Sequence, residues 1–433
     1  MIQASIITIG DELLIGQVID TNSAWMAQEL NKAGITVSRR VAVGDSWSKI
    51  WTALDEESKH AQIILITGGL GPTSDDITKP LLCEYFKGKL IVNKAALANV
   101  KYIFETVLKR PMIESNLKQA EVPDVCKVIQ NKNGTAPGMW FEKEYKYASP
   151  EWKDLHEVFE SKQIFVSMPG VPFEMKGMME DYVIPTLKKQ FKLPHIVHRT
   201  LLTAGVGESF LAELIKDFER ALPASIKLAY LPNYGMVRLR LSSIGSDKDS
   251  IETTIQQQFE TLQALVKDYL VTNEDEPMEK VVGKLLKSKG KTVCTAESCT
   301  GGYIAHLLTA GSGASAFYEG SVVTYSYNAK EHLLQVNHND LQTNGAVSEE
   351  VVIQMAKGAL KNIQSDYVIA VSGIMGPDGG MPDKPVGTVW IAVGDTKNII
   401  AQKLFFRFDR TRNIELTATN ALNMLRKFIL NNG

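Results

Sequence analysis

The sequence has few cysteines, no long apolar run and almost no net charge. Its four cysteines in 433 residues form no C-x-x-C pair and no zinc-ligand spacing, which favours a reducing cytoplasm over a disulfide-built or zinc-built fold. The longest apolar runs are strand-sized, so no segment is expected to span a membrane. A formal net charge of −2 gives no bulk attraction to nucleic acid or anionic lipid, and neither is expected as a partner.

What remains is the composition of globular protein. Hydrophobic residues make up 44% and charged residues 22% of the chain, so each part can bury a core. The length allows about three domains of ordinary size. Alternating strand-like and helix-like segments throughout predict α/β architecture.

The first candidate site is a strand-to-helix junction in the last third of the chain. A β-type run ends at Ala296, Ser298 follows two residues later, and Gly301 and Gly302 open a helix-like segment. A hydroxyl on such a turn is well placed as a nucleophile, because unpaired amides of the first helical turn could stabilise an oxyanion beside it. The alternative is that Ser298 or Thr300 simply caps the helix.

A second segment, residues 321–330, places Tyr325 and Lys330 where another strand turns into a helix. Serine is inert near neutral pH without a base, and no histidine lies at an obvious partner position. A lysine whose pKa is lowered by burial can serve, with Tyr325 relaying or orienting the proton. The alternative is a solvated Lys330 and a packed Tyr325. Cys299 is a second candidate nucleophile and ranks below Ser298, since it also lacks a histidine partner.

The start of the chain predicts a nucleotide-type α/β domain. A β-α-β-α-β order up to Thr67 predicts a mainly parallel sheet, whose ligands bind beyond the carboxyl ends of the strands. Loops 10–16 and 67–76 lie at those ends. Glycines in the second loop allow close approach to a phosphate, and Asp75 and Asp76 suit a divalent cation that bridges to it. The alternative is that both acids only begin a helix.

Four ordered motifs in the last third resemble the C-terminal domain of the CinA family (competence/damage-inducible protein A). They are residues 295–302, 325–330, 345–348 and 372–380, the last followed by 384–390. That domain is similar to nicotinamide mononucleotide (NMN) deamidase, which hydrolyses NMN to nicotinate mononucleotide and ammonia. The resemblance implies a cytoplasmic enzyme of pyridine nucleotide salvage, with Ser298 as nucleophile, Tyr325 and Lys330 beside it, and no cofactor at this site.

The resemblance also implies a set of substrate-binding residues, in which Arg410 faces the phosphate of NMN. The set comprises Cys299, Thr300, Gly301, Gly302, Gly345, Ser372, Gly373, Gly376 and Arg410. Two positions depart from the family pattern. Ile414 stands near the place of a second arginine, which Arg412 could replace, and Asn344 stands where histidine is more usual.

Motifs in the first part resemble the CinA N-terminal domain, which is similar to the molybdopterin-binding fold and in some members is a metal-dependent ADP-ribose pyrophosphatase. They are residues 10–16, 20–22, 67–76, 116–120, 133–138 and 168–175. The implied nucleotide-binding residues are Gly10, Asp11, Asn22, Gly68, Gly69, Gly71, Pro72 and Thr73. A divalent cation of the Mg, Mn or Co type would bind Asp75 and Asp76, with Asp11 as the next choice.

The middle part, where CinA proteins carry a KH-like domain, predicts a small β-α-β-β-α sandwich, with one amphipathic helix over 209–221 and a hairpin around residues 232–235. RNA-binding KH domains clamp the backbone with a G-x-x-G loop, but residues 205–208 have the wrong spacing and end in an acid. A structural or dimerising spacer is therefore expected, in a homodimer. The expected division is 1–175 molybdopterin-binding-like, 176–272 KH-like and 273–433 deamidase, with an apparent insertion at 145–163.

Two other functions stay open. In one, only the N-terminal pyrophosphatase works and the C-terminal half is a relic. In the other, the protein is a non-enzymatic module for competence or DNA damage, against which the near-neutral charge argues. The small-molecule partners expected are NMN and ADP-ribose.

Overall fold

The computed structural model describes residues 2–73, 76–144, 162–233 and 235–432. The chain forms two compact units, Met1–Ile196 with Ile244–Ile251 and Val197–Ser243 with Glu252–Gly433. The predicted metal ligand Asp75 and nearly all of the insertion lie outside the described residues. In the described ranges, no helix is long and apolar enough to cross a membrane.

The first unit contains a six-stranded sheet of order β2-β1-β3-β8-β7-β6. Strands β2, β1, β3 and β8 are parallel, and β7 is antiparallel to both of its neighbours. The six strands are β1 (Gln3–Ile9), β2 (Thr36–Val43), β3 (Ile63–Thr67), β6 (Lys127–Ile129), β7 (Gly138–Glu144) and β8 (Lys162–Met168). A separate antiparallel pair is formed by β4 (Leu90–Val92) and β5 (Glu121–Pro123). The mainly parallel sheet agrees with the β-α-β-α-β prediction.

Helices of this unit cover the sheet on both faces. They are α1 (Asp11–Leu14), α2 (Thr21–Lys32), α3 (Trp47–Glu57), α4 (Thr78–Tyr85), α5 (Lys94–Lys101), α6 (Glu114–Lys118), α7 (Pro172–Met178) and α8 (Ile184–Gln190), with π-helical turns at Tyr102–Val107 and Met179–Val183. Alternation along β1 makes the two cores: Ala4 and Ile6 pack with Met26 of α2, whereas Ile7 packs with Leu54 of α3. This is a three-layer domain.

The middle part forms a four-stranded sheet of order β10-β11-β9-β12. Its elements are β9 (His195–Ala204), α9 (Glu208–Leu214), α10 (Lys216–Ala221), β10 (Ile226–Asn233), β11 (Met236–Gly245), α11 (Lys248–Leu265) and β12 (Leu270–Thr272). The predicted hairpin is present as β10 and β11. The single helix expected over 209–221 is instead two, because the backbone of Ile215 leaves the helical region at φ −108° and ψ 14°. The sequence pattern also missed the short strand β12.

The last part contains a mixed five-stranded sheet of order β14-β13-β15-β16-β17. The strands are β13 (Val293–Glu297), β14 (Tyr318–Val323), β15 (Tyr367–Gly373), β16 (Thr388–Gly394) and β17 (Ile399–Phe405). The helices are α12 (Met278–Lys289), α13 (Tyr303–Thr309), α14 (Tyr327–Leu334), α15 (His338–Asn344), α16 (Glu349–Ile363) and α17 (Arg410–Asn432), with a 3-10 turn at Ala314–Ala316. Three of the strands, β14, β13 and β15, are parallel.

Residue alternation again separates two cores. Val293 and Ile369 face α12 and α17, whereas Cys294 and Val368 face α16. Since β13, β14 and β15 run in the same direction, their carboxyl ends meet at one edge of the sheet. The candidate nucleophile Ser298 follows the first of these strands.

Candidate active site

The structure brings Ser298 and Lys330 into direct contact. Ser298 follows β13, and Lys330 lies in α14, whose N-terminus is capped by the hydroxyl of Ser326. The Nζ of Lys330 lies 2.9 Å from the Oγ of Ser298. Lys330 is 1% exposed and Ser298 is 8% exposed. The expected meeting of hydroxyl and amine, 32 positions apart, is therefore confirmed as geometry.

The surroundings of the Lys330 amine make its neutral form easier to reach than that of an exposed lysine. Burial lowers the pKa of Lys330 from 10.5 to about 8. Its Nζ also donates to the carbonyl of Thr324 at 2.7 Å and to that of Tyr325 at 3.4 Å. A neutral amine has two N–H groups, which match these two carbonyls and would leave its lone pair for the proton of the Ser298 hydroxyl. This is the arrangement of a general base and its nucleophile.

The turn after Ser298 carries the amides predicted to hold an oxyanion. Gly301 and Gly302 have positive φ, 62° and 96°, which only glycine adopts readily. The Gly301 amide, however, donates to the Ser298 carbonyl at 3.2 Å, and the Gly302 amide donates to Glu297. In the described chain no acceptor is found for the amides of Cys299 and Thr300. Of these two residues Cys299 lies on the wall of the cavity in front of Ser298, so its amide is the candidate oxyanion donor.

Neither serine nor threonine caps the helix that follows, which removes the alternative interpretation of the junction. The N-cap of α13 is Gly302, and no side chain of that residue is available for a cap bond. The Ser298 hydroxyl is on Lys330, and the Thr300 hydroxyl donates to Glu297 at 2.6 Å. Glu297 itself is fully buried. Sequence reasoning missed it, although an acid at the end of an otherwise apolar strand signals a buried charge.

Cys299 lies next to Ser298 but belongs to the hydrophobic core behind the sheet edge. Burial raises the pKa of the Cys299 thiol to about 12. At neutral pH the thiol is therefore not ionised. The lower rank given to Cys299 agrees with this environment.

Ser298 and Lys330 open onto a cavity of about 230 Å³. Of the predicted substrate-binding residues, those on the cavity wall are Cys299, Ser372, Gly373, Gly376 and Arg410, whereas Thr300, Gly301, Gly302 and Gly345 are not. Ala346 and Val347 take the place expected for Gly345, and the Ser372 hydroxyl donates to the Ala346 carbonyl at 2.6 Å. The cavity wall also includes Asp378, whose exposed carboxylate was not singled out from the sequence.

Arg410 reaches the cavity from the first residue of α17. Its guanidinium donates to the Gly376 carbonyl at 2.8 Å and to the Tyr325 hydroxyl at 3.0 Å. Tyr325 is 64% exposed, and its backbone carbonyl rather than its hydroxyl faces the Lys330 amine. A direct proton relay through Tyr325 does not match this geometry. The guanidinium of Arg412 lies 4.3 Å from the Phe408 ring and is absent from the cavity wall.

A second cavity, of about 430 Å³, lies at the carboxyl ends of β1 and β3. Its wall includes the predicted residues Gly10, Gly68, Gly69, Gly71 and Pro72, together with Asp76. A β-carbon on Gly68, which has φ 115°, would lie 2.2 Å from the Ile9 carbonyl oxygen, so this position requires glycine. The predicted Asp11, Asn22 and Thr73 are not on the wall. Two residues without a predicted role, Gln119 and Glu174, are on it, and burial raises the pKa of the Glu174 carboxyl.

The described residues alone do not make up the predicted metal site. Asp76 accepts hydrogen bonds from both the amide and the hydroxyl of Thr73. The Asp11 amide donates to the Asp45 carboxylate at 2.9 Å, and the Asp45 amide donates to the Asp11 carboxylate at 3.3 Å. Among the described residues no group of three or more histidines, cysteines or acids could hold a metal. Asp75 lies outside those residues, and metal binding stays a prediction.

Three family models match the chain in succession. The "Probable molybdopterin binding domain" matches residues 5–189, the "Damage-inducible protein CinA KH domain" matches 198–272, and the "CinA C-terminal domain" matches 275–429.

Relatives of full length carry the same family name. A "CinA-like protein" of Cytophaga hutchinsonii is 46% identical over 98% of this chain and 98% of its own, and one of Salinibacter ruber is 37% identical over 98% and 99%. A crystal structure of competence damage-inducible protein A (ComA) from Klebsiella pneumoniae is 34% identical, covers 36% of this chain and 100% of that chain, and has a TM-score of 0.36. These names give a family and no reaction.

Proposed function

The chain belongs to the CinA family, and we propose that it is an amidohydrolase that converts NMN to nicotinate mononucleotide and ammonia. The observation that carries the proposal is the 2.9 Å contact between a buried lysine amine and a serine hydroxyl at the wall of a cavity. A serine beside an unprotonated lysine is a known form of activated nucleophile for acyl transfer.

In the proposed mechanism, neutral Lys330 accepts the proton of Ser298 as its oxygen bonds to the carboxamide carbon of NMN. The carbonyl π bond opens, and the negative oxygen is stabilised by the amide of Cys299, which lies on the cavity wall. When the tetrahedral intermediate collapses, the C–N bond breaks and Lys330 returns the proton, so that ammonia leaves. Water then attacks the ester by the same route, which releases the carboxylate product and restores Ser298.

The charges at the cavity suit the charges of NMN. Arg410 would bind the phosphate, since guanidinium groups form strong charge-assisted hydrogen bonds to phosphate oxygens. The exposed carboxylate of Asp378 would face the ribose hydroxyls or the positive pyridinium ring. A cavity with one such cation and one such carboxylate is complementary to a zwitterionic mononucleotide. Tyr325 would serve by holding Arg410, to which its hydroxyl is bonded.

The proposal is tested by measuring ammonia released from NMN in the presence of EDTA. We expect turnover by the wild-type protein and its loss in Ser298→Ala, because the alanine has no nucleophile. The matched control is Ser288→Ala, an exposed serine of α12, which should keep full activity. Undiminished ammonia release by Ser298→Ala would reject the assignment.

A second activity is proposed for the N-terminal domain, a metal-dependent ADP-ribose pyrophosphatase. The glycine-walled cleft of about 430 Å³ at the strand ends favours it. We expect AMP release from ADP-ribose with Mg²⁺, Mn²⁺ or Co²⁺, lost in Asp75→Ala and Asp76→Ala and unaffected by Ser298→Ala. If AMP forms and NMN yields no ammonia, only the N-terminal half is active. Salt-sensitive DNA binding with neither product would instead support the non-enzymatic alternative.

A further inference from the structure

Glu297 is a fully buried carboxylate immediately before the candidate nucleophile. In the described part of the chain no lysine, arginine or histidine forms an ion pair with it. Its two oxygens instead lie within hydrogen-bond distance of five neutral donors, of which the Thr295 hydroxyl also lies 2.8 Å from the Ser321 hydroxyl. These are the hydroxyls of Thr295 (3.2 Å) and Thr300 (2.6 Å) and the amides of Gly302 (3.1 Å), Ile304 (3.1 Å) and Ala305 (2.8 Å).

These bonds replace an ordinary helix cap. The first amides of a helix have no partner within it, and a side chain at the N-cap normally accepts from them. The N-cap of α13 is a glycine, and Glu297, five residues earlier, accepts from the amides of Gly302, Ile304 and Ala305. A buried carboxylate costs free energy unless it is fully hydrogen-bonded. Each of these donor bonds therefore stabilises the same conformation of the turn.

Among the described residues, the backbone bonds within the turn that Glu297 holds run from the Gly301 amide to the Ser298 carbonyl at 3.2 Å and from the Tyr303 amide to the Thr300 carbonyl at 3.1 Å. Ordinary strand pairing ends where the Ser298 amide donates to the Val371 carbonyl at 3.1 Å. Two consecutive glycines, Gly301 and Gly302, then follow in left-handed conformations and have the greatest backbone freedom of any residue. The Glu297 carboxylate restrains this turn further, because it accepts hydrogen bonds from the Thr300 hydroxyl and the Gly302 amide.

We propose that Glu297 is a positioning residue, whose carboxylate fixes the turn 298–302 so that the Cys299 amide faces the developing oxyanion. The inference rests on the proposed function in taking Ser298 as the nucleophile, but not in taking NMN as the substrate. Most of the cavity wall comes from other segments, including Ala346, Ser372 and Arg410, so ground-state binding does not depend on this turn. Glu297 therefore acts on the transition state and not on substrate affinity.

The test is Glu297→Gln, which keeps the shape but replaces one accepting oxygen with a donor that cannot receive the helix amides. We expect kcat for NMN to fall about 10- to 100-fold with KM changed by less than about twofold, as for a misplaced oxyanion donor. The second readout is the inhibition constant of 3-pyridineboronic acid. This compound forms a B–O bond to Ser298 while Lys330 takes the proton, and its tetrahedral adduct places an oxygen at the Cys299 amide.

The boronate constant should rise by the same factor as kcat falls, measured on the folded fraction determined by circular dichroism. Unchanged boronate affinity in Glu297→Gln would overturn the inference, as would a loss of kcat fully accounted for by unfolded protein. Glu319→Gln, an exposed acid on β14 of the same sheet, is the matched control and should change neither value. Should Glu297→Gln fail to fold, Thr300→Val removes one of the five donors and should shift both values in the same direction by a smaller factor.

The two proposals fail in distinguishable ways. If the wild-type protein releases no ammonia from NMN, the substrate assignment fails, while boronate binding still reports on the turn. If NMN is hydrolysed and the boronate binds wild type and Glu297→Gln equally, only the positioning role fails.

Discussion

Replacing Lys330 with methionine should abolish catalysis and yet stabilise the fold near neutral pH. Burial lowers the pKa of Lys330 from 10.5 to about 8, and one decade in an ionisation constant is about 1.4 kcal/mol, so the fold disfavours the ammonium by about 3 kcal/mol. Methionine has a similar length and no charge. It loses the bonds to the carbonyls of Thr324 and Tyr325, at about 1 kcal/mol each, which leaves a net gain of about 1 kcal/mol.

The pH dependence of this gain is its clearest signature. Because the folded-state pKa of Lys330 lies below the unfolded-state value, the penalty is fully present below pH 8 and disappears as pH rises toward 10.5. The stability of wild type relative to Lys330→Met should therefore increase over that window, by about 3 kcal/mol in total.

Scanning calorimetry of the full chain at pH 7 and pH 10 measures this difference. For a unit of this size, 1 kcal/mol corresponds to about 2–4 °C in Tm. Lys357→Met, on the exposed face of α16, is the control and should show no such crossing. A Tm difference between Lys330→Met and wild type that is the same at both pH values would refute the argument that the buried amine resists protonation.

Three further predictions concern the reaction itself. With neutral Lys330 as the base, kcat/KM should rise about tenfold per pH unit up to about pH 8 and then level off, and a profile flat between pH 6 and 8 would contradict that role. Arg410→Ala should raise KM for NMN about 10- to 100-fold with a smaller effect on kcat, because it removes a charge-assisted phosphate contact; equal KM values would remove Arg410 from the phosphate site. Asp378→Asn should raise KM for NMN. This rise should be larger than the change that Arg410→Ala causes in KM for nicotinamide riboside, which lacks the phosphate that Arg410 would bind. An unchanged KM for NMN in Asp378→Asn would show that this carboxylate does not face the substrate.

The pairing of Ser298 with Lys330 could be predicted because it follows from chain direction. Both residues come just after strands, β13 and β14, and parallel strands bring such ends to one edge of a sheet. Gly68 was predictable for a similar reason, since a tight loop at a strand end needs a residue without a side chain. These inferences need only local pattern and topology.

Contacts between distant segments could not be predicted in the same way. The Tyr325 hydroxyl bonds to Arg410, 85 residues later, and nothing in the pattern around either residue indicates the other. Asp11 was expected at the N-terminal cleft, but its carboxylate accepts the Asp45 amide instead, which depends on how two loops meet. Glu297 is the opposite case, because its donors lie within eight residues, and the signal was present as an acid between a buried strand and a glycine turn.

Ser298 and Cys299 show that the effect of burial on a nucleophile depends on which group it contacts. Ser298 and Cys299 are both nearly buried, at 8% and 6% exposure. Burial is the largest cause that raises the pKa of the thiol to about 12, so the thiol is not ionised at pH 7 and the stronger intrinsic nucleophile is inactive. The same desolvation acts on Lys330 in the opposite sense, since it lowers the pKa of the amine and so makes its proton easier to lose. A hydroxyl in contact with that amine gains a base, and a thiol that faces the core gains nothing, so the less reactive group becomes the nucleophile.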